Sequence, residues 1–194
     1  MHKISRNRAF AVAIESVLVA LLLAAMIFFY RPAFYAAGSR MDEALLLVFP
    51  ELLLHGKVPY RDFETFYGPA NLWTLATAFR VFGTTVEVER IVGLTYRFAL
   101  FAALYFAVRS WGKAAAIGVV MIAVFVLLPL GSVANAWIMA LTLLLVSTTL
   151  LTRQLTAFDD RPSVGAIAGL IAGLAILFRV DLAPAVIASA AVEY

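Results

Sequence analysis

The chain reads as an all-α, polytopic helical membrane protein with about five to six transmembrane helices and two interfacial juxtamembrane helices in its first outer loop. Three observations predict this. Apolar residues make up 64% of the sequence and charged residues 14%, against about half apolar in an ordinary soluble domain. Mean hydropathy is +0.96, and several apolar runs reach the roughly 20 residues a helix needs to cross about 30 Å of hydrocarbon. The runs lack the even turns and strict alternation of a transmembrane barrel, and helices and closed barrels are the two structures that satisfy their backbone inside lipid.

The first span is expected from Ala9 to Tyr30, behind Lys3, Arg6 and Arg8. It is longer than a signal-peptide core and meets Arg31-Pro32 where a small-residue cleavage site would stand, so it reads as a retained signal anchor. The basic flank is expected to leave the N-terminus of this multi-pass membrane protein in the cytoplasm. Residues 31–68 then form the first outer loop. Within it "SRMDEALLLVFPELLLHG" predicts a helix of about 14 residues, too short to span and suited to the interface, with Gly56 as its stop and Pro50 as a kink or the start of a second set of turns. Residues 69–83 predict a second juxtamembrane helix, opened by Pro69 and closed by Gly83.

"VEVERIVGLTYRFALFAALYFAVRS" spans back inward, leaving Arg109 and Lys113 in a cytoplasmic turn. Ala114 to Leu130 returns outward to a tight turn at "LGS", Val133 to about Thr152 crosses inward, and "RQLTAFDDRP" forms a cytoplasmic loop. A fifth span starts near Ser163 and ends at "FRVDLAP", with the beginning of a sixth beyond it. Gly165, Gly169 and Gly173 form a small-residue ladder expected to pack tightly inside one bundle rather than to dimerise. The whole is one membrane domain, residues 1–194.

Two charges fall deep inside predicted spans. Glu15 and Arg97 lie within roughly 7 Å in depth at 1.5 Å per residue, and an unpaired charge there is costly. A structural ion pair between Glu15 and Arg97 is therefore expected.

Composition also excludes. With no cysteine there is no disulfide, thiolate nucleophile or cysteine metal site. His2 and His55 are far apart, and the net charge of +3 is scattered among spans in no long basic run, so no nucleic acid partner is expected. Membrane lipids are the expected surroundings. No nucleotide-phosphate loop, serine-nucleophile motif or HExxH helix is present.

What remains is the polar island "HGKVPYRDFETFYGP" and the charges around it. Asp42 and Glu43 are adjacent, so on a helix they point about 100° apart and cannot share a proton as a close dyad. Either they complement the positive end of the helix dipole, or one of them is a catalytic carboxylate facing a cavity. Arg61 either pairs locally with Asp62 or Glu64 or serves a ligand. Arg179 either snorkels to headgroups or does the same. Arg179 and Asp181, two apart on an expected helix, should face away from each other. Tyr60, Phe63, Phe66, Tyr67 and Trp73 suit a membrane boundary, with Pro59, Gly68 and Pro69 setting the turns.

The order of these pieces resembles the N-terminal part of bacterial GT-C glycosyltransferases, polytopic enzymes similar to protein mannosyltransferases and aminoarabinose transferases. The resemblance runs over roughly residues 9–110: a first span, "DE" at the start of an interfacial helix, "HGKVPYRDF", "YGPANLW", then "FG" and an acidic-basic pair opening the next span. "LAILFRVDLAP" is similar more loosely. The resemblance implies that a polyprenyl-phosphate sugar donor enters sideways from the membrane and that an outer-loop carboxylate deprotonates the acceptor, whose identity the sequence leaves open. Asp42 matches that carboxylate, with Glu43 beside it. Arg61 and Arg179 are the candidate phosphate binders, and Asp62, Tyr67 and Asp181 complete the candidate substrate-binding set. A divalent cation between the two acids and phosphate oxygens stays open; no other cofactor is implied. Such enzymes are much longer, so the chain is expected to be a piece of a longer cell-envelope protein or a reduced relative without activity. The alternative is a non-enzymatic membrane subunit for lipid binding, assembly or transport.

Overall fold

The computed structural model describes residues 40–157 and 162–192, together with residues 24, 28, 30–32, 34 and 35. The predicted first span and the Glu15 half of the expected ion pair lie outside the described residues, apart from isolated positions at the span's end. Among the described residues the protein is all-helical, with a single β-bridge between Pro59 and Phe63.

Helix α1 covers Arg40–Leu54. Its first turn carries Asp42 and Glu43, where the helix dipole favours acids. Glu43, Leu46, Pro50 and Leu53 form its buried stripe, and the helix runs through Pro50 as one element. Gly56, at a φ of 79°, ends the run, the left-handed conformation glycine adopts without penalty. Helix α2, Pro69–Phe82, begins at its proline and stops at Gly83, whose φ of 89° lets its N–H reach Phe79 O at 2.8 Å. Leu53 of α1 meets Leu72 and Ala76 of α2 in a small core of their own.

Helix α3 covers Val86–Val108 and is capped by Thr85, whose side chain accepts the Val88 N–H. A turn at Arg109–Trp111 leads through Gly112 to α4, Lys113–Leu127, and a second turn at Leu128–Leu130 leads to Gly131. Helix α5 is Ala136–Ala157 and α6 is Pro162–Phe178; after a turn at Val180–Leu182 comes α7, Ala183–Val192. The most extensive packing is α5 on α6, and α3 lies against both α4 and α5. The main core joins Leu46, Leu75, Tyr96, Leu100, Val124, Ile138 and Phe178 from six helices.

Among the described residues three stretches are long and apolar enough to cross a membrane: Val86–Trp111, Lys113–Leu130 and Ala136–Thr156. The expected fifth span is a helix of 17 residues, shorter than these. Ile122, Phe125, Val126, Leu170 and Leu177 stand exposed on α4 and α6, a surface that suits hydrocarbon rather than water.

Three expectations are corrected. The span placed from Val133 starts at Ala136, because residues 131–135 are held in a non-helical stretch by buried polar groups. The helix placed to about Thr152 continues to Ala157. Among the described residues the glycine ladder does not do the packing expected of it, apart from Gly165, whose Cβ would meet Gln154 Oε1 at 3.9 Å. Among the described residues nothing lies within 4 Å of where a Cβ would sit on Gly169 or Gly173. The α5 contact is made instead by Ala168, whose carbonyl accepts from Ser147 Oγ at 2.8 Å.

Candidate functional site

A cavity of about 440 Å³ opens where four segments meet. The first turn of α1 supplies Met41, Asp42 and Leu45, and the loop before α2 supplies Phe66 and Tyr67. The start of α5 supplies Asn135, Ala136 and Trp137, and the residue after α6 is Arg179. Asp42, Tyr67 and Arg179, distant in sequence, thus share one space. Tyr67 donates its hydroxyl to Asp42 Oδ1 over a long 3.4 Å. Partial burial first, then the charge and hydrogen bond of Asp42, push the Tyr67 phenol up to about 12. It stays a protonated donor at any physiological pH.

The loop that delivers Tyr67 is braced by its own residues. Tyr60, at a φ of 64°, donates its N–H to Phe63 O at 2.9 Å and its hydroxyl to Tyr67 O at 2.8 Å. The Tyr67 N–H goes to Thr65 Oγ1 at 3.1 Å, and Phe63 stacks on Phe49 of α1 at 5.2 Å between ring centres. Gly68 closes the assembly. Its N–H donates to Phe178 O at 3.1 Å, and a Cβ there would lie 2.2 Å from Leu177 O, so only glycine lets the loop lie against the end of α6.

Arg61 and Asp62 are not brought to the cavity. They pair with each other through Nε–Oδ1 at 3.0 Å and Nη2–Oδ2 at 2.9 Å, and Asp62 also accepts the Val58 N–H at 2.8 Å. The hydrogen bonds from Arg61 and then from Val58 hold the Asp62 carboxyl down to about 2. The local pairing of Arg61 is the structural alternative that its neighbours in sequence allowed.

Glu43 also turns away from the cavity. It is buried and accepts from Arg90 Nε at 2.6 Å, while Arg90 Nη1 reaches Phe34 O. The 100° between adjacent helical positions has sent one acid to the cavity and its neighbour to a salt bridge. The two carboxylates therefore do not converge on one ion, and among the described residues no group of three His, Asp or Glu side chains is placed to hold a metal.

Arg179 and Asp181 overturn the expectation that they would face apart. They form a two-pronged pair, Nε to Oδ1 at 2.9 Å and Nη2 to Oδ2. The reason is that α6 ends at Phe178: Arg179 is extended, with φ −141° and ψ 100°, and Asp181 sits in a single tight turn. Helical spacing does not govern residues beyond a helix end. The shared hydrogen bonds raise the Arg179 guanidinium and lower the Asp181 carboxyl. The paired Arg179 also lines the cavity.

Sequence reasoning missed Asn135 and Trp137 in the cavity wall and, behind them, Glu89 and Asn71, and it expected Arg97 only in a pair with Glu15. Glu89, Asn71 and Arg97 are fully buried. Arg97 Nη1 donates to Gly93 O and Val133 O, each at 2.9 Å. Its Nε and Nη2, the Tyr30 hydroxyl, Glu89 Oε2 and Ser132 Oγ find no partner among the described residues. The signal that could have found this cluster is E-x-x-x-G-x-x-x-R in "ERIVGLTYR", an acid, a glycine and a base on one face of an apolar helix. No family model, curated protein or solved structure matches the chain.

Proposed function

We propose that the cavity is the outer-face site of a GT-C-like glycosyltransferase, where a polyprenyl-phosphate sugar donor meets an acceptor hydroxyl. The observation that carries this reading is the convergence of Asp42, Tyr67 and Arg179 on one cavity from three separate segments. An acceptor bound beside Asp42 passes its proton to that carboxylate as its oxygen attacks the anomeric carbon. The bond from that carbon to the phosphate oxygen breaks, and the departing phosphate takes the electron pair. Arg179, on the same cavity, meets the growing negative charge. Tyr67 keeps Asp42 oriented. Glu43 with Arg90 anchors the helix turn that presents Asp42.

In this reading α1 and α2 lie along the outer interface, the exposed Phe66 and Trp73 rings enter the headgroup region, and α3 to α6 cross an inner membrane with the N-terminus in the cytoplasm. The test is sugar release from a labelled polyprenyl-phosphate hexose in membranes holding the full-length protein. Asp42→Asn should abolish transfer while membrane insertion is unchanged. Undiminished turnover in that variant would remove Asp42 as base. A non-enzymatic lipid-binding subunit would instead bind the lipid phosphate, transfer nothing, and be indifferent to this substitution.

A further inference from the structure

Helix α3 presents Glu89, Gly93 and Arg97 on successive turns of one buried face, and all three meet the same few residues of backbone. Glu89 Oε1 accepts from the Ala134 N–H at 2.6 Å. Arg97 Nη1 donates to Val133 O at 2.9 Å. Between them Gly93 admits the chain so closely that a Cβ would stand 1.9 Å from Ser132 O and 2.7 Å from the Ala134 nitrogen. From α2, Asn71 Nδ2 donates to Ala134 O at 3.3 Å, and Tyr96 fixes that amide by donating its hydroxyl to Asn71 Oδ1 at 3.0 Å.

An acid on the peptide N–H and a base on the carbonyl define both the height and the rotation of a segment, which apolar packing alone would not. Burying both charges carries a desolvation cost that a contact serving stability alone would not need. The next residues along the chain are Asn135 and Trp137, which line the cavity. We propose that Glu89 and Arg97 are positioning residues, a backbone grip that sets the cavity wall carrying Asn135 and Trp137 and thereby the cavity's hold on its ligand. The ligand part of this inference rests on the cavity being the donor site.

The test uses the full chain in lipid nanodiscs, in a Trp73→Phe, Trp111→Phe background that leaves Trp137 as the fluorescent reporter. Amide hydrogen exchange over residues 132–137 and titration with undecaprenyl phosphate are compared for Glu89→Ala and Glu89→Gln. Losing one charge-assisted hydrogen bond should speed exchange there about tenfold, with the rest of α3 and α5 unchanged, and should weaken undecaprenyl phosphate binding. Glu89→Gln keeps an acceptor for the Ala134 N–H and should restore both. Unchanged exchange in Glu89→Ala overturns the proposal, as does a uniform rise across all helices that Gln does not rescue. If Glu89→Ala fails to insert, Asn71→Leu decides, because it loosens the same segment without removing a charge. If the segment loosens while even the parent protein ignores undecaprenyl phosphate, the grip stands and the sugar-donor reading falls.

Discussion

The stripe Glu89–Gly93–Arg97 and the island His55–Pro69 both concentrate polar groups in an apolar chain, and they spend them differently. In the stripe each charged side chain is fully buried and bonded to the backbone of a distant segment. In the island Arg61 and Asp62 are exposed and satisfy each other and a local turn. A buried polar group has no water to fall back on, so its geometry is enforced. An exposed pair competes with water at every moment and enforces little. The polar residues most visible in the sequence are therefore the less constraining ones.

Substitutions sharpen that contrast, beginning with the largest effect. Gly93→Ala forces a methyl into backbone that cannot yield, and should cost about 3 kcal/mol, read as a lower melting temperature in detergent together with loss of the Trp137 environment. Glu43→Gln leaves the Arg90 charge partly uncompensated at a site where both side chains are only 11–12% exposed. It should cost about 2 kcal/mol, measured the same way, and should misplace Asp42 without touching it.

Tyr67→Phe removes one long hydrogen bond, worth about 1 kcal/mol or less. Its sharper signature is in alkali. With the folded phenol at about 12 and the unfolded one near 10, the folded state retains a proton that the unfolded state has lost. Stability should fall as pH rises from 10 through 12. The phenol titrating near 12 should be missing from an absorbance titration of the variant. The smallest effect belongs to Arg61→Ala, which should lower the melting temperature at neutral pH only slightly, because water screens the exposed pair. Asp62, held at about 2 against 3.8 for a free carboxyl, contributes above the free value and loses that contribution as pH falls through 4 toward 2. Arg61→Ala should shrink that acid-side loss. A large neutral-pH effect of Arg61→Ala would break the comparison.

What the sequence made legible was local. The proline and glycine punctuation at Pro69, Gly83 and Gly56 marks helix ends in the residues themselves, and the structure places helix ends beside each of them. Apolar run length anticipated the stretches that, among the described residues, are long and apolar enough to cross a membrane. What escaped depends on a second segment. The start of α5 at Ala136 is set by Glu89 and Arg97, far upstream. The Arg179–Asp181 pair depends on α6 stopping at Phe178, which no glycine or proline announces. The ladder Gly165–Gly169–Gly173 shows spacing without direction, and α5 lies against the alanines beside it. At the site, Asp42, Tyr67 and Arg179 were individually legible by residue type and order, whereas Asn135 and Trp137 carried no local mark.

The bond from Gly68 to Phe178 fixes an order of biogenesis. The acid and the phenol leave the ribosome early, but the backbone that pins their loop and the guanidinium opposite them are translated only after the apolar stretches Val86–Trp111, Lys113–Leu130 and Ala136–Thr156. During synthesis the nascent chain therefore carries its acid unenclosed, and the pocket comes into being only as its last wall is threaded into place.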